Sequence, residues 1–152
     1  MNFDSRLEVV SGYLQLEMPE DAMEELDLVP MSCRGDEGYQ ELLLAAQMME
    51  KRWNAASETA RLLCKKQPRR KHYFIHAAYC LHETGDTLAA KTWLMRGPKT
   101  LFKDALFHYN MGCYSAVLGE KESALGYLKK AFDLDESLRE VAEKDSDLVG
   151  VV

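Results

Sequence analysis

The chain has 152 residues, 47% of them hydrophobic and 29% charged, which is the balance of a water-facing globular domain with a sizeable core. No apolar run approaches the roughly 20 residues needed to span a bilayer. The net charge of −6 is unevenly spread: −10 over residues 1–50, +8 over 51–104 and −4 over 105–152. An acidic, basic, acidic layout can steer partners or drive head-to-tail contact between copies. The opening MNFDSRLEVV shows no basic region followed by an apolar stretch, so the expected address is cytoplasmic. Cys33, Cys64, Cys80 and Cys113 form no CxxC pair and are expected as reduced thiols, with no metal among them.

The chain repeats itself. Ala22, Ala56, Ala90 and Ala124 each stand 34 residues after the one before. One helical turn further on stand Leu26, Ala60, Leu94 and Leu128. Tyr39, Tyr73 and Phe107 form an aromatic column, and Gly85 and Gly119 a turn column. The repeats are 3–36, 37–70, 71–104 and 105–138, each expected to be two helices joined by a turn.

The first repeat is the least regular. Its second helix is expected to start near Pro19, where a missing N–H costs nothing, and it carries Glu17 in the turn column. The second keeps Trp53 and Ala56 and ends at Pro68. The basic run Lys65, Lys66, Arg69, Arg70, Lys71 follows its last helix, a favourable place for cations. In the third, Gly97-Pro98 should end the second helix early, and KTLFKD after it is irregular. In the fourth, Leu106, Tyr109, Met111 and Gly112 have the spacing of a packed face, as do Ala124, Leu125, Leu128, Ala131 and Phe132. Gly112 and Ala124 are small enough to bring the two helices close. Residues 137–152 read as a capping helix with the stripe Leu138, Val141, Ala142, then an apolar tail that either folds back or docks on a neighbour.

A 34-residue, two-helix unit with these columns resembles the tetratricopeptide repeat (TPR) family over about 136 of 152 residues. The resemblance is strongest at YNMGCYSAVLGEKESALGYLKKAFDLD, residues 109–135, through Met111, Gly112, Gly119, Ala124, Leu128 and Ala131. Of the family's closing prolines only Pro68 is kept. The resemblance implies an all-α fold, a right-handed superhelical array of four helix-turn-helix repeats with a C-terminal capping helix, forming one domain. It also implies a concave groove lined by the first helix of each repeat. The inward columns are then Leu7, Glu41, Ile75 and Tyr109; Ser11, Ala45, Tyr79 and Cys113; and Leu14, Met48, His82 and Ala116. Gln15, Met49, Glu83 and Val117 flank them.

That lining is rich in Met and Tyr and holds no Lys or Arg, so it suits a hydrophobic or amphipathic peptide and not the acidic tails that Lys- and Arg-bearing TPR proteins clamp. The expected function is a scaffold or adaptor for protein–protein interaction, with a bacterial secretion-type chaperone or a self-assembling structural module as alternatives. The expected partner is a protein or peptide, with homo-oligomerisation an option and neither nucleic acid nor membrane implicated. His72, His76 and Cys80 share a helix face, but no fourth ligand matches them. No Gly-rich phosphate loop or GxSxG turn is present, so neither an enzyme nor a cofactor site is expected.

Overall fold

A computed structural model describes all residues, 1–152, as nine α-helices and three short 3₁₀ turns. The helices are α1 Phe3–Gln15, α2 Pro19–Asp27, α3 Glu37–Met49, α4 Trp53–Lys66, α5 Lys71–Glu83, α6 Thr87–Met95, α7 Ala105–Val117, α8 Lys121–Leu134 and α9 Leu138–Glu143. The register is strict. The first helices of the pairs start at 3, 37, 71 and 105, and the second helices at 19, 53, 87 and 121. Each helix packs on the one before and the one after it, consistent with a helical repeat array.

The repeat columns do physical work. Ala22, Ala56, Ala90 and Ala124 are each 0% exposed, as small residues packed between helices are. Gly112 lets α7 and α8 approach closely: a Cβ there would stand 2.8 Å from Leu128 Cγ and 3.3 Å from the Ala124 carbonyl oxygen. Leu26, Ala60, Leu94 and Leu128 are buried beside these contacts, and Tyr39, Tyr73 and Phe107 are buried at the start of the first helices. Leu106 and Leu125, expected on packed faces, are instead exposed. Leu125 follows Ala124 directly, and adjacent helical residues do not share a face.

Four matching turns close the pairs. The N–H of Met18, Arg52, Asp86 and Glu120 donates to the carbonyl of Tyr13, Gln47, Leu81 and Ser115 respectively, at 2.8–3.1 Å. This six-to-one bond needs a left-handed residue just before the donor. That residue is Glu17 (φ 56°), Lys51 (57°), Gly85 (96°) and Gly119 (80°). The turn column is therefore present in all four repeats, although glycine marks only two.

The second helices alternate in length: 9 residues in α2 and α6, 14 in α4 and α8. Pro98 precedes the 3₁₀ turn Lys99–Lys103, as expected from Gly97-Pro98. Pro30 precedes Met31–Cys33 in the same way, one double repeat earlier. Proline has no N–H to continue a helix and forces the residue before it out of the helical region. The repeat columns do not mark Pro30, so the shortness of α2 is a finding of the structure.

The apolar interior falls into two clusters. A small one, with Val10, Leu14, Ala22, Leu26 and Val29, serves α1, α2 and part of α3. A large one runs from Leu44 to Leu148. The basic run is partly spent within the chain: Lys66 donates to the Gly35 carbonyl at 2.8 Å, Arg70 pairs with Glu37 at 3.0 Å, and Lys71 pairs with Asp104 at 3.1 Å. No helix is long and apolar enough to cross a membrane.

Candidate binding face

The columns picked from the sequence lie on α1, α3, α5 and α7, and the structure divides them into three zones. On α1, Leu14 is buried in the small core, Leu7 packs against that core, and Ser11 is half-buried. These three residues hold the first pair to α3 and leave little for a ligand to touch.

The middle zone is open. α1 packs on α3 and α5 packs on α7, but a recess of about 260 Å³ lies between α3 and α5. Leu44, Ala45 and Met48 form its apolar wall, with Glu41, His72, Tyr73 and His76 as its polar lining. The Tyr73 hydroxyl lies within hydrogen-bonding reach of Glu37 (2.6 Å) and of Glu41. Burial first, then these two carboxylate bonds, push the Tyr73 phenol well above its ordinary range. Burial, with His72 beside it, holds His76 below the ordinary histidine range. α3 and α5 also carry Met49 and Tyr79, large side chains 45% and 40% exposed. Tyr79 is braced edge-on by Trp53, ring centroids 5.6 Å apart, and Ile75 packs against the large core.

The third zone is partly covered by the chain itself, with a cavity of about 240 Å³ left between α5, α7 and the tail. After α9 the segment Asp145–Val151 folds back over α5 and α7. Tyr109 donates to Asp145 Oδ2 at 2.7 Å, and the Cys113 thiol reaches the same oxygen at 3.6 Å. His82 bonds Asp147 through Nε2 and Thr87 through Nδ1, both at 2.9 Å, and its ring lies 5.0 Å from that of Tyr114. Leu148 is 0% exposed. Tyr109 and Cys113 are consequently buried, and Ala116 packs against the core. Of the two readings of the apolar tail, the folded-back one describes Leu148 and Val151; Val149 and Val152 remain exposed.

Sequence reasoning missed Tyr73, Asp145, Asp147 and Leu148 as residues of this face. Tyr73 was assigned to a core column, and it is both: its ring is buried while its hydroxyl reaches α3. The carboxylates in KDSDLVGVV were the available signal for the tail, since two acids beside one leucine match a face offering Tyr, Cys and His.

The three buried cysteines are not activated. Burial pushes Cys64 up to about 12 and Cys80 up to about 11, and burial with Asp145 beside it raises Cys113. Cys80 is fully buried, and no three His, Cys, Asp or Glu side chains are grouped as metal ligands would be. No known family profile matches the chain, and no curated protein is detectably similar to it.

Proposed function

We propose that this chain is a TPR-like array whose superhelical face, made by α1, α3, α5 and α7, holds a segment of another protein, so that it acts as a cytoplasmic adaptor or scaffold without catalysis. The observation that carries the reading is the α3–α5 recess. It is an open recess on that face with an apolar wall of Leu44, Ala45 and Met48, and the same two helices, α3 and α5, carry exposed residues of the adaptable and anchoring kinds, Met49 and Tyr79. The four identical turns and the strict 34-residue register support a regular array with one continuous face.

Ala45→Arg, which fills the recess, combined with Tyr79→Ala tests the reading. Partners captured from the native extract by the wild-type chain should be lost to the double variant at unchanged helical content. Equal capture by both proteins rejects the proposal.

Self-assembly has one observation in its favour, the acidic, basic, acidic layout. Intramolecular bonds of Lys66, Arg70 and Lys71 reduce the charge available to it. A monomer at all concentrations in low salt, where exposed charges attract most strongly, removes it. The dedicated-chaperone alternative requires a client that is soluble only when co-expressed with this chain.

A further inference from the structure

Glu41 is the notable group of the α3–α5 recess. Six of the 25 acidic side chains sit opposite a Lys or Arg, namely Glu25, Glu37, Glu50, Asp104, Glu120 and Glu136, and what distinguishes Glu41 among the rest is its half-buried place in the wall of a recess. Glu41 has no such cation; its only hydrogen-bond donor is the Tyr73 hydroxyl. It therefore presents a carboxylate, uncompensated, at an apolar pocket. The neighbouring Arg70 is already committed to Glu37 at 3.0 Å. Burial, then His72, lowers the pKa of His76, with Glu41 acting in the opposite direction. Further along the same face lie Glu83, Asp145 and Asp147.

Size narrows the occupant. A recess of about 260 Å³ falls below the roughly 300–1,000 Å³ of sites that enclose a free small molecule. It has room for one long side chain carried in on a backbone. Lysine and arginine combine an apolar stem with a cationic head, and bury the stem readily when the head is satisfied. An acidic side chain would meet Glu41 head-on, and a purely aliphatic one would leave the carboxylate desolvated and unpaired.

We infer that the α3–α5 recess receives a lysine or arginine side chain from a segment of a partner protein, its stem against Leu44, Ala45 and Met48 and its head on the Glu41 carboxylate. This rests on the adaptor reading only in taking the side chain to come from a protein. The partner segment is thus basic at one position and apolar around it.

The pocket can be tested without the partner. The full chain, carrying ¹³C-labelled methionine methyls, is titrated with n-pentylammonium, n-butylguanidinium, n-pentanol and pentanoate while the Met48 methyl and His76 ring signals are followed by NMR. The two cations should shift both signals saturably and bind at least about tenfold more tightly than pentanol, a difference of about 1.4 kcal/mol. Pentanoate should not bind. Glu41→Gln, half-buried and nearly isosteric, should remove the preference for cations over pentanol while the circular dichroism spectrum stays unchanged. Equal binding of pentanol and the cations to the wild-type chain overturns the inference, as does a cation preference that survives in Glu41→Gln. If the chain instead dimerises in sedimentation and Glu41→Gln abolishes the dimer, the cation comes from a second copy and the partner assignment is overturned. Cation selectivity without any captured partner would retire the adaptor reading alone. Partner capture that Ala45→Arg abolishes, without cation selectivity, would retire the present inference alone.

Discussion

Glu17 and Lys51 occupy a backbone conformation that suits glycine. Left-handed geometry crowds a Cβ against the following carbonyl and costs an ordinary residue about 1–2 kcal/mol. Glycine returns part of that gain through the freedom it loses on folding. Glu17→Gly and Lys51→Gly should each stabilise the fold by about 0.5–1 kcal/mol, read as a higher denaturant midpoint at unchanged m-value. Gly112 is the opposite case. The methyl of Gly112→Ala would lie 2.8 Å from Leu128 Cγ, and overpacking of this kind costs about 1–3 kcal/mol. A Gly112→Ala protein as stable as wild type would show that α7 and α8 separate freely. The phenols supply a pH dependence. Tyr73, Tyr109 and Tyr114 are raised above the ordinary value of 10, chiefly by burial. A group whose folded pKa is raised stabilises the fold below its unfolded pKa and loses that contribution as pH climbs. Stability should therefore fall once pH passes 10, with the 295 nm phenolate absorbance of these three residues appearing only as the helices melt.

Among the elements, the C-terminal turn Ser146–Leu148 has the largest effect for its length. It brings two carboxylates to three donors on α5 and α7 and sinks one leucine completely. Leu148→Ala should cost about 2–5 kcal/mol, the range for emptying a buried leucine site. Removing residues 145–152 should also expose the Cys113 thiol and take away the Asp145 charge that raises it. Iodoacetamide then labels Cys113 faster than in the intact chain, where half-buried Cys33 reacts first. Unchanged labelling would mean that the tail does not cover α7 in solution. The paired prolines at 30 and 98 act at this scale too. Each cuts its second helix to 9 residues and converts the following segment into a 3₁₀ turn, so that the structure alternates with twice the period of the sequence.

Across the whole molecule, stability should be graded. The first pair rests on a small core and one ion pair between its helices, Arg6–Glu25 at 2.8 Å, whereas α4 to α9 share the large core. In repeat arrays each unit is held by its own packing and its nearest neighbours. Amides of α1 and α2 should accordingly exchange with solvent before those of α5 and α7, at free energies below that of global unfolding. Uniform protection along the chain would show that the two clusters unfold as one.

The sequence by itself determined the pairs. Columns of Ala22, Ala56, Ala90 and Ala124, and of Tyr39, Tyr73 and Phe107, are local in cause: small residues are needed where two helices touch, and aromatic rings where a first helix begins. A fixed period carries that information without any knowledge of distant contacts. The same period gives Leu7, Glu41, Tyr109 and Cys113 one kind of surface, and there tertiary structure separates them. Leu14 went into a core, Tyr109 and Cys113 went beneath the tail, and Glu41 was left at an open recess. Those outcomes depend on where residues 145–151 return to the fold and on which neighbouring helices stand apart, and a repeating sequence gives every unit the same answer to both questions.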